Sequence, residues 1–148
     1  MKAHQADFSQ MLKLLRREPT ERPVLFELYL NMPLYEQVNG CKLPSDDLVT
    51  ATRFKIKAFQ RMGYDYATVH GSKFSFTPEA HRKQTQSLNE NAGIVDEESF
   101  EQFKWPEPDD FDSSFLKTVE PDLPDGMKLM VMGPGGVLEC AIALAGYD

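Results

Sequence analysis

Residues 45–70 read SDDLVTATRFKIKAFQRMGYDYATVH, and they carry the clearest secondary-structure signals of the chain. Ser45, Asp46 and Asp47 supply an N-cap and acidic first-turn residues for a helix. The helix presents one apolar stripe, made by Leu48, Ala51, Phe54, Ala58 and Met62. Gly63 follows where a left-handed C-cap glycine is expected, and the strand Tyr64–His70 begins at once. A helix joined to a strand by a minimal glycine turn is typical of a parallel α/β sheet.

Two further apolar runs predict strands. Val24–Leu30 reads VLFELYL, which is typical of a strand covered on both faces, and Met127–Met132 is the other run. The same reading predicts helices over Phe8–Arg17, Leu34–Val38, Glu98–Phe103, Phe111–Val119 and Val137–Ala145. The last helix is apolar nearly all round, so we expect it to be largely buried. Strands that alternate with helices in this way predict a parallel sheet.

Length and composition indicate one soluble globular domain over residues 1–148. Hydrophobic residues make up 41% of the chain and charged residues 26%. An irregular, polar arm spans residues 71–105, and Gln84–Asn91 within it is predicted to form an extended hairpin with residues 93–95. The net charge is −7 and basic residues are scattered, which argues against nucleic acid and against an anionic membrane as partners.

The cysteines and the N-terminal residues bear on the cellular compartment in which the protein is expected. Cys41 and Cys140 belong to no disulfide or metal-ligand pattern, so we expect reduced thiols. Residues 1–10 lack the apolar core of a secretory signal, and no stretch has the roughly 20 apolar residues that span a bilayer. We therefore expect a cytoplasmic protein.

An ordered set of short motifs runs along the chain. They are RPVLFELYL (22–30), GYDYATVH (63–70), NENAGIVDEESF (89–100), FKWPEP (103–108), LPDGMK (123–128), GPGGVLE (133–139) and LAGY (144–147). Together they resemble the uroporphyrinogen decarboxylase and corrinoid methyltransferase superfamily, over about the whole chain. The resemblance implies a partial (β/α)8 TIM barrel, with about the first three parallel strands, their helices and an extended arm.

Such a barrel needs about 250 residues to close. Three strands leave open backbone donors and acceptors at the sheet edge and a bare apolar face. We therefore expect one of three outcomes: the N-terminal fragment of a longer enzyme, a chain that self-associates through its open sheet edges, or a rearranged sheet.

Barrel enzymes carry their active sites at the carboxyl ends of the strands. This rule selects His70 and Glu27 as catalytic candidates. The substrate-binding candidates are Tyr29, Asn31, Ser72, Gly135 and Gly136. His70 would donate a hydrogen bond or relay a proton, unless it simply bonds a neighbouring loop. Glu27 would bind a substrate cation or a metal, unless it forms an ordinary buried ion pair inside a dry barrel. The loop Gly133–Gly136 would hold an anion or serve as a tight turn.

Two departures from the family pattern bear on the substrate. Uroporphyrinogen decarboxylases carry an arginine pair just after the first strand, but Leu30–Tyr35 contains no cation, so a polycarboxylate should bind poorly. The family's catalytic aspartate lies near the position of His70, and Val69–Ser72 contains no acid. Both departures disfavour decarboxylation of uroporphyrinogen.

The methyltransferase branch of the family uses a zinc ion held by one histidine and two cysteines in the C-terminal half. His4, His81, Cys41 and Cys140 do not have metal-ligand spacing, so we expect no metal site in this chain. Zinc and corrinoid are implied only for the full-length enzyme.

Three hypotheses about function remain open at this stage. The first is part of an enzyme whose parent is a methyltransferase acting with a corrinoid protein or a small methylated substrate. The second is a stand-alone, non-enzymatic half-barrel that dimerises and binds a ligand or partner. The third, uroporphyrinogen decarboxylation, is disfavoured by the missing arginines and acid.

Overall fold

The computed structural model describes residues 4–74 and 93–147. In chain order these form α1 (Ser9–Leu15), α2 (Met32–Asn39), α3 (Leu48–Met62), β1 (Tyr66–His70), α4 (Glu97–Gln102), α5 (Phe115–Val119), β2 (Lys128–Met132) and α6 (Val137–Ala145). Short 3-10 turns lie at Pro108–Asp110 and Glu120–Asp122. The chain divides into two compact units, the first of residues 1–70 and 113–132 and the second of residues 71–112 and 133–148. A single domain over residues 1–148 stays a prediction.

Helix α3 and the strand after it form as the sequence predicts. The Asp47 carboxylate caps the helix by accepting the Thr50 amide at 2.9 Å. This backbone hydrogen bond is the main reason that the pKa of Asp47 falls to about 2. Gly63 ends the helix at φ 88°, a left-handed conformation that glycine adopts without strain. The prediction of a helix, a glycine turn and a strand is confirmed.

Strands β1 and β2 pair in parallel. Tyr66 lies opposite Lys128, and the register continues to His70 opposite Met132. Side chains alternate along a strand, so Tyr66, Thr68 and His70 share one face of the sheet. All of β1 is buried except His70. Two of the three predicted strands are therefore confirmed as parallel neighbours.

The prediction of a partial TIM barrel with three parallel strands is wrong. Among the described residues the sheet has two strands, and the molecule is a small α/β fold with six helices. Val24–Leu30, here called the 24–30 segment, is not a strand. It lies on the Tyr66 face of the sheet, where the Tyr66 hydroxyl bonds both the N–H and the C=O of Glu27. A side chain thus satisfies the backbone groups that a β ladder would have used.

The 24–30 segment also exposes apolar side chains, contrary to the expectation that it is covered on both faces. Leu25, Phe26, Leu28 and Tyr29 are all exposed. Val24 and Leu30, at the two ends of the segment, are partly buried against the core, and the four apolar side chains between them lie at the surface. Apolar composition alone therefore did not predict burial here.

The core of the first unit is aromatic. Phe59 of α3 is fully buried, and its ring meets Tyr64 edge-on at 5.0 Å between centroids. Tyr35 and Tyr66 approach the same ring at 5.9 Å. Such edge-on and tilted pairs add about 0.5–1.5 kcal/mol each beyond the area that they bury. Helix α3 is thereby fixed against both α2 and β1.

One charge is buried at the start of β1. Asp65 is 1% exposed. Its Oδ1 accepts hydrogen bonds from Arg22 Nη2 at 2.5 Å and from the Asp7 amide at 2.8 Å, and lies 3.3 Å from His4 Nε2. A buried carboxylate needs such partners, because an unpaired charge in the interior is costly. Asp65 therefore ties the N-terminal segment and Arg22 to the sheet.

Among the described residues of the second unit, Leu144 is the one hydrophobic residue that is buried. Helix α4 begins with a capping box between Asp96 and Ser99. The Ile94 amide donates to the Leu144 carbonyl of α6 at 2.9 Å. The prediction that α6 is largely buried is wrong, because Val137 is 91% exposed and Leu144 is the only buried residue of the helix. The predicted hairpin at Gln84–Asn91 lies outside the described residues.

Asp65→Ala should lower the free energy of unfolding by about 2–4 kcal/mol, because it removes the partner of Arg22 in a buried site. Urea denaturation measures this loss. The control is Asp122→Ala, which breaks the half-exposed pair of Asp122 with Arg53 (2.7 Å) and should cost less than about 1 kcal/mol. Equal losses in the free energy of unfolding for the two variants would show that the buried contacts of Asp65 contribute no more stability than an exposed ion pair.

Candidate functional site

Two of the predicted site residues, Tyr29 and His70, meet at the carboxyl end of β1, and a third, Glu27, lies close to them in the chain. The ring of Tyr29 stacks on the imidazole of His70, with 5.6 Å between the ring centroids and 22° between the planes. Glu27 precedes Tyr29 by two residues and contacts the same strand through its backbone. Ligands of open α/β sheets bind beyond the carboxyl ends of the strands, so this position suits a binding site. Glu27, Tyr29 and His70 are called the β1 site below.

The hydroxyl of Tyr66 holds the 24–30 segment in place. It accepts the Glu27 amide at 2.6 Å and donates to the Glu27 carbonyl at 2.9 Å. Thr68 Oγ1 donates to the same carbonyl at 3.4 Å. Burial raises the pKa of Tyr66, so its hydroxyl keeps the proton that it donates. Glu27 is thereby fixed over the sheet face that carries His70.

The carboxylate of Glu27 lies at the surface. Its Oε1 accepts the amides of Leu28 at 2.9 Å and Tyr29 at 3.4 Å. Glu27 is exposed, so the expectation of a dry interior is wrong. Within the described ranges, no Lys or Arg forms an ion pair with Glu27.

Tyr35 of α2 contacts the end of the 24–30 segment. The Tyr35 hydroxyl accepts the Leu30 amide at 3.3 Å. Burial is the main cause that raises the pKa of Tyr35, and the negative charge of Glu27 raises it further. The field of Glu27 therefore reaches a second aromatic side chain near the β1 site.

The remaining four candidates are divided between the two units. Asn31 caps α2, with its side-chain oxygen accepting the Leu34 amide at 3.1 Å. Ser72, Gly135 and Gly136 belong to the second unit. The Ser72 hydroxyl accepts the Phe74 amide at 3.0 Å. The roles of these four residues in substrate binding stay predictions.

The loop before α6 is a poor place for an anion. The Glu139 carboxylate lies against Gly136, where a Cβ would collide with it. A negative side chain thus already occupies the start of the helix, the position that an anion would take. The tight-turn interpretation of Gly133–Gly136 is favoured.

Neither a metal centre nor a membrane span is found among the described residues. In residues 4–74 and 93–147, no three His, Cys, Asp or Glu side chains come together in a way that could hold a metal ion. These residues therefore do not fit the zinc centre that the resemblance implies for the full-length enzyme. No helix in the same ranges is long and apolar enough to cross a bilayer.

An open groove of about 460 Å³ runs between α5 and β2. Charges of both signs line it, from Lys117 and Lys128 and from Glu120 and Asp125. Val131 of β2 also lines the groove and is 48% exposed. The volume is within the range of ligand pockets, but no candidate residue from the sequence lies in it.

Sequence reasoning missed Tyr66, Thr68 and Asp65. Tyr66 and Thr68 alternate with buried residues along β1, and a period of two through His70 predicts that all three share a face. This period of two can be read from the sequence alone. No comparable pattern predicts that Asp65 pairs with Arg22, because the two residues are 43 positions apart.

No family model, curated protein or solved structure matches the chain. The resemblance drawn from the motifs therefore stays a prediction. Function is accordingly inferred from the geometry of the β1 site.

Tyr66→Phe should release the 24–30 segment, because it removes both hydrogen bonds to Glu27 while keeping the ring. We expect faster amide hydrogen exchange at Glu27 and a loss of about 1–2 kcal/mol in the free energy of unfolding. Tyr64→Phe is the matched control, since it makes the same chemical change on a ring that packs against Tyr66. Unchanged exchange at Glu27 in Tyr66→Phe would contradict this role.

Proposed function

We propose that the chain is part of a uroporphyrinogen decarboxylase-like enzyme, whose parent activity is methyl transfer with a corrinoid protein or a small methylated substrate. In this proposal the β1 site forms part of the small-molecule pocket. The observation that carries it is the stacking of an exposed Tyr29 ring on His70 at the end of a parallel strand. The two cysteines are free, which suits the reducing cytoplasm that we propose as the location.

Each residue of the β1 site has a distinct proposed role. His70 donates a hydrogen bond to the substrate or relays a proton. Tyr29 covers one face of the imidazole and offers apolar surface to a methyl group. Glu27 supplies a negative charge.

The charge around the β1 site disfavours a polycarboxylate. Leu30–Tyr35 brings no cation, and the whole chain carries a net charge of −7. Carboxylates are bound most strongly by arginine, which supplies paired donors. Arg22 is the described arginine nearest in sequence to the start of the 24–30 segment, and it forms an ion pair with Asp65. A neutral or cationic methylated molecule therefore fits better than a porphyrinogen.

Amide chemical shifts of the purified chain test this proposal. We expect at least one compound of a methylated set (methoxybenzene, dimethyl sulfide and choline) to shift the amides of residues 27–31 and 68–70. Butane-1,2,3,4-tetracarboxylate, which mimics the acidic groups of a porphyrinogen, should leave them unchanged. Tyr29→Leu should weaken the shifts, and Tyr147→Leu, an exposed tyrosine of the second unit, should not.

Binding of the tetracarboxylate alone at these residues would favour a decarboxylase. If no compound of the set shifts them, the β1 site is not a small-molecule pocket and the proposal is wrong.

A second candidate function is a stand-alone binding protein that dimerises. The observation that favours it is the exposed flank of β2, where Val131 is 48% exposed and the outer edge pairs with no strand of the described ranges. The groove beside it carries both lysines and acids, so a second copy of the same surface can match its charges across a two-fold axis. An open apolar edge of this kind readily accepts another strand.

Val131→Lys should disrupt such a dimer, because it places a charge in the middle of the exposed flank. Sedimentation equilibrium should give a dimer for the native chain and a shift towards monomer for Val131→Lys. Val137→Lys, which changes an exposed valine of α6, should leave the association unchanged. A native chain that stays monomeric at about 100 µM would exclude this candidate as a stable dimer.

A further inference from the structure

We propose that the β1 site binds an alkylated ammonium cation, an inference that rests on the function proposed above and narrows its substrate class. The site combines an exposed aromatic ring with a carboxylate that no Lys or Arg neutralises within the described ranges. Aromatic faces attract cations, and quaternary ammonium groups in particular are recognised in this way.

The aromatic surface comes from more than one ring. Tyr29 is 52% exposed, and only part of its ring is used by the stack with His70. Phe26 is also exposed on the 24–30 segment, and its ring lies 6.2 Å from that of Tyr66. The segment therefore presents aromatic side chains on both sides of Glu27 in the sequence.

The negative charge of the β1 site comes from the carboxylate of Glu27. Its Oε1 lies 3.4 Å from the Tyr29 backbone nitrogen, which places the carboxylate at the base of the Tyr29 side chain. The negative charge of Glu27 beside the exposed ring of Tyr29 favours a cation over an anion or a neutral ligand.

Alkyl groups on the nitrogen fit this site better than free N–H donors. A primary ammonium has three donors to satisfy, whereas Glu27 Oε1 already accepts two backbone amides. A fully alkylated, quaternary ammonium has no N–H group that needs an acceptor, and it places its methyl groups against aromatic carbon. A metal ion fits less well, because no cluster of three ligand side chains occurs in the part of the chain that the structure describes.

The test compares choline with 3,3-dimethylbutan-1-ol, its neutral isostere, on the intact chain. We expect choline to shift the amides of residues 27–31 and 68–70 and to bind at least about threefold more tightly than the alcohol. Its N-methyl protons should move upfield, because they would lie over an aromatic ring. Tyr29→Leu should raise the Kd for choline by about threefold to thirtyfold. Glu27→Gln should raise it as well, without changing the Kd for the alcohol.

Two variants control for folding. Tyr29→Phe keeps an aromatic face and should keep most of the affinity for choline. Tyr147→Leu removes an exposed ring outside the β1 site and should keep all of it. Equal binding of choline and the alcohol, or no response of choline binding to Tyr29→Leu and Glu27→Gln, would overturn the inference.

The same chemical-shift experiment separates a failure of the cation inference from a failure of the proposed function. If methoxybenzene or dimethyl sulfide shifts residues 27–31 and 68–70 while choline does not, the cation inference is wrong and the methylated-substrate site stands. If none of the methylated compounds shifts them, both are wrong.

Discussion

The buried carboxylate of Asp65 is the interaction on which the first unit depends. It collects Arg22, His4 and the Asp7 amide at the start of β1, so it fixes the N-terminal segment and the residue that leads into the 24–30 segment. Gly126 completes this arrangement, because its carbonyl accepts the Phe8 amide at 2.9 Å and a side chain there would collide with the backbone of Ala6. Beyond Arg22, the Tyr66 hydroxyl holds Glu27 over the sheet face, and Tyr29 brings the segment to His70.

The two ends of β1 therefore have different physical roles. At its start, Asp65 is buried and fully engaged, so its charge contributes to stability rather than to ligand binding. At its end, His70 is the one exposed residue of the strand, and the 24–30 segment brings an aromatic ring to it. Tyr66, which follows Asp65, positions the 24–30 segment, because its hydroxyl bonds both the amide and the carbonyl of Glu27. A rigid start and an accessible end are what a site on a parallel strand requires.

Local signals in the sequence predicted most elements, and non-local contacts explain the failures. The Asp47 cap, the Gly63 turn and the strands at residues 66–70 and 128–132 follow from residue types a few positions apart, and they are confirmed. The 24–30 segment has the composition of a strand, but its backbone amides bond to side chains. The Glu27 amide bonds a tyrosine hydroxyl from 39 residues further along the chain, and those of Leu28 and Tyr29 bond the Glu27 carboxylate. Likewise His70 and Tyr29 were predicted individually from strand ends. Their stacking depends on the position of the segment, which no local pattern specifies.

Charge then limits what the β1 site can bind. The arginine that lies nearest to the 24–30 segment in the sequence is engaged with Asp65, while Glu27 keeps its charge at the surface among aromatic rings. The charges of the first unit are therefore divided between two places. Arg22 is paired at the start of β1, whereas the 24–30 segment carries the Glu27 carboxylate close to the exposed ring of Tyr29. In the inference drawn above, this combination of a negative charge and an aromatic face selects cations over carboxylates.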